Sequence, residues 1–291
     1  MQKKLALLTV LILIAASLAS AQTAETEFAL FKRMISPVMK WGENGVLTVP
    51  KATTIGKTNF YAGLSGQEAG TVQGLRLYMT SASLIAGTSA DVELGYTHRQ
   101  LIWEDLYLTN VSMDTFHLKT RFLDFGKYFL PQAAIGVNAV SLVNNKFEDR
   151  NDILFNIYLA ATSSIPIFTP RLLFSVTAVA ETIMARDQLG TYIFSGGADL
   201  NIFDVLFAFA EVQGFNPTTP NNEVINLGGK LQIGGLSVGV GMFNIIRQKL
   251  VSEDIIENIE SSVFNFENAK WMVSIVYELK LGNIFAPRKT K

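Results

Sequence analysis

Two imidazoles, His98 and His117, and no thiol are what this chain offers for nucleophilic or metal chemistry. The absence of cysteine excludes thiol catalysis, cysteine–metal sites and a disulfide framework. Hydrolysis of a membrane lipid would call for a histidine beside a serine, with an acid or amide behind the ring to orient it. Neither "THRQ" (97–100) nor "FHLKT" (116–120) puts a serine next to the imidazole. Period-two parity sets His98 on the same face as Tyr96, and His117 on the opposite face with Thr115 and Lys119. Two rings on different faces make no metal site. The glycine pairs in "SGGAD" (195–199) and "LGGK" (227–230) sit mid-strand and lack the strand-to-helix setting of a phosphate loop. The residues therefore point to a non-enzymatic protein with no cofactor and no bound metal.

Charge is the richer constellation. Arg76, Arg99, His117, Lys119 and Arg121 are spaced to line one wall, with Asp91 and Glu93 on the strand between. Antiparallel pairing of 90–99 with 112–123 brings acids opposite bases. Two readings follow: a ladder of ion pairs filling a narrow interior, or a polar path that prefers anions. Glu181 and Glu211 each follow an alanine near a strand end and read as rim or lumen charges. Over the whole chain, 24 Lys+Arg balance 25 Asp+Glu, which leaves no electrostatic case for nucleic acid.

What positions these residues is a series of strands. The chain is 49% hydrophobic with only 17% charged residues and a mean hydropathy of +0.27. Beyond the N-terminus no run approaches the roughly 18 apolar residues of a spanning helix. Residues 1–21 read as an export signal: Lys3 and Lys4, an apolar stretch over 5–16, then Ala19, Ser20 and Ala21. Residues 22–57 read as a periplasmic N-terminal segment. In it Phe28, Phe31, Met34, Ile35 and Val38 recur at helical spacing. That short helix, over 28–39, is expected to plug the barrel; "WGENGVLTVPKATTIGK" (41–57) is expected to be extended or looped.

From residue 58 the period is two. Twelve strands are predicted, near 58–64, 74–85, 90–99, 112–123, 129–142, 152–164, 170–181, 191–200, 205–213, 223–233, 235–244 and 268–281. Most reach the roughly 9–11 residues that a tilted strand needs to cross a bilayer. Short connections are expected to alternate with longer ones, such as 65–73, 100–111, 182–190 and 245–267, the last carrying a candidate loop helix. That alternation suits an up-and-down barrel in an outer membrane. In "GLSVGVGMF" (235–243), Leu236, Val238, Val240 and Met242 oppose Ser237, Gly239 and Gly241. A water-facing strand carries Lys and Glu rather than glycine. The small residues are therefore assigned to a crowded lumen and the aliphatic rows to lipid. The expected fold is all-β: a closed antiparallel up-and-down transmembrane β-barrel of about 12 strands over 58–281, with a tail over 282–291.

This layout resembles outer-membrane β-barrel proteins as a class. The stretch "GVLTVPKAT", then "GKTNFYAGL", is similar to the opening of YjbH-type barrels linked to exopolysaccharide export, through Gly45, Leu47, Pro50 and Ala52. The sequence departs from the usual aromatic barrel ending, since "GNIFAPRKTK" continues past Leu281. The functional expectation is a porin-like narrow pore, an export-conduit component or a structural protein of the cell outer membrane. Its expected partners are outer-membrane lipid, the barrel-assembly machinery and, as the resemblance implies, a periplasmic or polysaccharide-export protein. The alternatives are a secreted soluble barrel with an apolar ligand and, more distantly, a membrane hydrolase.

Overall fold

The alternation in 236–242 resolves into two faces with different surroundings. Ser237, Gly239 and Gly241 are buried, while Leu236, Val238, Val240 and Met242 are exposed. The same division holds around a closed sheet of twelve antiparallel strands, seen in a computed structural model that describes residues 45–57, 59–72, 75–105, 108–144, 152–185, 188–215, 224–242 and 271–280. In chain order the strands are β1 (Asn59–Val72), β2 (Leu75–Gly87), β3 (Val92–Trp103), β4 (Leu108–Leu123), β5 (Gln132–Asn144) and β6 (Asp152–Ile167). They continue with β7 (Thr169–Ala185), β8 (Gln188–Ile202), β9 (Leu206–Phe215), β10 (Val224–Ile233), β11 (Leu236–Met242) and β12 (Trp271–Lys280). Each pairs with its sequence neighbours. β1 closes the ring on β12, from Asn59 opposite Lys280 to Gln67 opposite Met272.

All twelve strands lie where period two placed them, but several run further. β1 continues to Val72, β4 starts at Leu108, and β7 and β8 extend to Ala185 and from Gln188. Most of 65–73 and 182–190, expected as long loops, is therefore strand. Polar residues such as those in "GQEAGTV" (66–72) satisfy the ladder as well as apolar ones do; they lack only an outward apolar row, the signal read from sequence. Consequently the expected alternation of long and short connections is not a clean one. The proposed signal 1–21, the helix over 28–39, the loop helix within 245–267 and the tail 282–291 lie outside the described residues.

The outward face is aliphatic and aromatic, with Leu64, Phe116, Leu159, Val240 and Ile275 among the exposed side chains. Inward, the buried set includes Glu93, Thr97, Arg99, Lys119, Asn138, Asn156, Asp199 and Lys230. A soluble ligand-binding barrel has the opposite arrangement, apolar within and polar without. A sheet that presents bulky hydrocarbon outward and has no free edge is built for lipid. Phenylalanines mark the connections at one end: Phe129, Phe168 and Phe203 stand in the left-handed backbone region at the β4–β5, β6–β7 and β8–β9 turns. Phe168, at 99% exposure, projects fully from the Ile167–Thr169 turn. Bulky residues rarely adopt this conformation. Rings held there at the barrel's rim suit the interfacial level of a membrane.

The face assignment has a direct consequence. Val238 stands in the outward row of β11, between Leu231 and Ile275 on its neighbours. Val238→Arg is expected to lower folding stability in bilayers by about 2–4 kcal/mol, with Val238→Ile neutral, as measured by urea unfolding from vesicles. No loss for the arginine variant would mean that the face meets water.

Candidate functional site

Twelve strands enclose more space than their own side chains fill; about eight is the size at which a barrel packs itself. Here the difference is made up by residues 45–57. Val46, Leu47, Val49, Ala52 and Ile55 are all fully buried inside the barrel. The segment expected on the periplasmic side thus lies, over its described part, in the lumen. It is looped, as expected; the helix over 28–39, expected to plug the barrel, lies outside the described residues.

Its shape follows from a local turn. The Val46 N–H donates to the Val49 carbonyl at 2.8 Å, and Gly45 bridges Pro50 in antiparallel fashion. The tip is held by one carboxylate. The backbone N–H groups of Leu47, Thr48 and Val49 all donate to Glu211 Oε2, at 3.2, 2.9 and 3.2 Å. The Thr48 hydroxyl donates to Glu211 Oε1, and Asn226 Nδ2 reaches the same oxygen at 2.8 Å. Successive N–H groups converging on an anion form a nest, here supplied with its anion by the wall. Further back, Lys51 Nζ pairs with Asp199 Oδ2 at 2.6 Å, both side chains almost wholly buried. Ala52 N–H donates to Thr162 Oγ1 at 2.9 Å, and Ile55 N–H to Glu93 Oε2 at 3.1 Å.

The wall is shaped to match. A Cβ on Gly197 would lie 2.9 Å from Val46 Cγ2, and one on Gly241 3.0 Å from Leu47 Cδ1. One on Gly87 would collide with the Gly56 carbonyl oxygen. Apolar contact completes the seat: Val49 and Ala52 cluster with Ala134, Tyr158, Ala160 and Val179, and Ile55 with Tyr61, Ile85 and Val276. The small face of "GLSVGVGMF" therefore looks into the lumen and at the hairpin.

Opposite this seat stands the ionic wall read from sequence. Glu93 faces Lys119 in register, and Lys119 Nζ lies 2.7 Å from Glu93 Oε1 with both side chains fully buried. His117 Nε2 is 3.7 Å from the same oxygen, and its ring packs over Gly95. Arg99 is buried and donates to Thr115 Oγ1 at 3.4 Å. Asp91 and Arg121 pair at the barrel mouth, where Arg121 Nε and NH2 donate at 2.9 and 2.6 Å and NH1 meets Asp124 at 2.6 Å. Arg76 is a correction: Met79, Ser83, Ile85 and Gly87 are buried along β2, so Arg76 shares the outward parity of Thr80, Ala82 and Leu84 and is exposed. Its backbone N–H donates to Glu104 Oε2 at the rim, at 3.2 Å. Asn138, Asn156 and Glu181 form a chain across β5, β6 and β7, at 3.2 and 2.8 Å.

Sequence reasoning passed over Lys51, Asp199 and Lys230. The last is buried with its ammonium 4.6 Å above the Phe207 ring centre. A lone lysine in the apolar stretch "LTVPKAT" was the available signal, since a buried ammonium requires an acid. Asp114 is a further omission, while His98 lies on the outward face where parity set it. On the outward face its Nδ1 lies 2.8 Å from Asp114 Oδ1, which also accepts from the Tyr96 hydroxyl at 2.6 Å. This is the acid-behind-imidazole arrangement of a hydrolase, but no serine or threonine hydroxyl bonds to His98 among the described residues. Nor do any three His, Asp or Glu side chains among those residues gather to hold a metal ion.

No family model matches the chain, and no curated protein matches it. Solved structures do superpose on it. KdgM porin aligns at 11% identity over 75% of this chain and 98% of that one, with a TM-score of 0.49. LpxR from Salmonella typhimurium aligns at 8% identity over 75% and 99%, with a TM-score of 0.44. The outer membrane protein Omp33 of Acinetobacter baumannii aligns at 7% over 77% and 99%, with a TM-score of 0.43. None of these supports the YjbH-type likeness of residues 45–52, which are now seen as the lumen hairpin itself.

The hairpin's anchor can be tested by stability. Asp199→Ala leaves the Lys51 ammonium buried without its acid and is expected to cost about 3–5 kcal/mol. The double variant Asp199→Ala/Lys51→Met recovers most of that loss, as read from the melting of heat-modifiable gel mobility. Equal melting of the single and double variants would show that the pair does not couple hairpin to wall.

Proposed function

We propose that this protein is an outer-membrane channel closed by its own N-proximal hairpin, which conducts when residues 45–57 leave the lumen. The observation that carries the reading is the seat of the hairpin tip on Glu211. The contacts are polar and reversible, and they join a short segment to a wall that is closed without it. The ladder from β1 to β12 does not depend on the hairpin, so its departure would leave the barrel intact. The pore so exposed would be lined by Glu93, Lys119, His117, Arg99, Asp199, Lys230, Glu181 and Glu211. This lining mixes carboxylates with Lys119, Arg99 and Lys230, and Glu93 pairs with Lys119 within the wall, so the reading favours small polar solutes without a strong preference for anions. A periplasmic or export partner acting on the residues before 45 fits this scheme, because pulling on them would withdraw the tip.

The energetics are compatible with gating. Hydrogen bonds to a charged group contribute about 1.5–3 kcal/mol each, and the Glu211 carboxylate accepts several from the hairpin. Turning a 1:99 equilibrium into 99:1 takes about 5.5 kcal/mol. Loss of this one side chain is therefore of the size needed to unseat the tip.

The experiment is planar-bilayer recording. Wild-type protein is expected to be almost silent and Glu211→Ala to show discrete conductance steps. Because the chain has no cysteine, an added pair reports cleanly. Ala52→Cys/Thr162→Cys in the Glu211→Ala background should silence the channel when oxidised and restore the steps on reduction. Equal currents from wild type and Glu211→Ala would overturn the gate.

A further inference from the structure

Outside the lumen, the lipid-facing wall holds a feature that neither the pore nor the hairpin uses. A groove of about 460 Å³ crosses β12, β1, β2 and β3 on the outward face. Its floor is Ala62 and Ala82, which stand opposite larger residues on every side: Ala62 pairs with Tyr277, and Ala82 pairs with His98. Tyr277 and Ile275 form one bank, and Tyr96 and His98 the other. Along β3 and β4 the outward residues then turn polar, with Gln100 and Ser112 paired beyond His98 and Asp114.

Asp114 is a carboxylate on the outward face, where the apolar belt gives way to these polar residues. Both of its protein donors, the Tyr96 hydroxyl and His98 Nδ1, sit on Oδ1. Its second oxygen, Oδ2, accepts from neither of them and is left for a donor from outside the barrel. Among the described residues the groove is lined by no lysine or arginine. The site therefore offers a carboxylate oxygen, Asp114 Oδ2, beside the groove and asks for a donor that carries positive charge. A phosphate would meet the like charge of Asp114 there.

We propose that this groove binds one lipid of the surrounding membrane, its acyl chain lying over Ala62 and Ala82 and an ammonium-bearing headgroup donating to Asp114. The occupant is a lipid because the groove opens within the belt of outward aliphatic residues, where lipid is the solvent. The headgroup is cationic at its tip because the protein supplies a carboxylate and the groove lining holds no lysine or arginine. The inference rests on the membrane assignment of the outer face and is independent of the gate.

Native mass spectrometry of the full chain in detergent tests it, with phosphatidylethanolamine set against phosphatidylglycerol of matched acyl chains. One phosphatidylethanolamine is expected to stay on each barrel, favoured about tenfold over phosphatidylglycerol, the ratio that one charge-assisted contact supplies. Asp114→Asn should abolish the preference while a lipid is still retained. Ala82→Phe should fill the groove and reduce retention of both lipids to background. Both substitutions face outward, and heat-modifiable mobility reports whether each variant is a folded barrel; Ala82→Ser serves as a milder control that keeps binding. Equal retention of the two lipids by wild type, or full retention by a folded Ala82→Phe variant, would overturn the proposal. So would a protein dimer that Ala82→Phe dissolves, since a second copy would then be the occupant.

Discussion

A strand in hydrocarbon has no water to which it can leave an N–H or a carbonyl, and this constraint governs the molecule. It forces β1 to find β12 across almost the whole chain, with the register from Asn59–Lys280 to Gln67–Met272. Closure with twelve strands then fixes an interior too wide for side chains alone to fill. The protein meets the second problem with backbone. A hairpin brings its own unpaired N–H groups into that interior, and these too need partners. Glu211 supplies them for Leu47, Thr48 and Val49, Thr162 for Ala52, and Glu93 for Ile55. The polar residues of the lumen thus follow from the same rule as the closed ladder.

The two sides of the lumen divide this work. The arc containing Gly197 and Gly241 gives up side-chain volume, so that Val46 and Leu47 approach the wall at van der Waals distance. The arc of β3 and β4 keeps large charged groups, and there Glu93 serves both sides: it pairs with Lys119 and accepts from Ile55. A buried ion pair is weak evidence for stability in itself, because desolvation offsets attraction. Its value here is positional. Lys51 can lie in the lumen only where Asp199 meets it, which sets the hairpin's depth along the barrel.

The strands were legible because one outward aliphatic row per strand survives even where the inward residues vary, as in 236–242. Their ends were not, because outside the hydrocarbon the outward row no longer has to be apolar; β1 beyond Leu64 is the clearest case. The pairing of Glu93 with Lys119 was legible from parity and hairpin order. Arg76 was misplaced because its strand was counted from charge rather than from the Ser83 and Ile85 face. The hairpin had no period to read, since 45–57 is neither helix nor strand. Its trace lay elsewhere, in the glycines of β8 and β11, which imply something close against them without saying what. Asp114 was overlooked beside the basic residues of the same strand, although parity alone sets it outward with Phe116.

Glu211 and Asp114 show how the same group acquires different roles from its surroundings. Each is a carboxylate with donors converging on it. Glu211 accepts from the hairpin, from Thr48 and from Asn226, so its two oxygens are both used and it is enclosed. Asp114 accepts on one oxygen only and stands part-exposed on the lipid side. A satisfied acid in a dry interior fixes structure, and it releases that structure only when its partners leave together. A half-used acid at a hydrocarbon surface is only partly resolved within the chain and keeps one oxygen for a donor from outside it. The first condition makes the lumen a place where a segment can be held or let go. The second makes the outer wall a place where the membrane itself becomes a ligand.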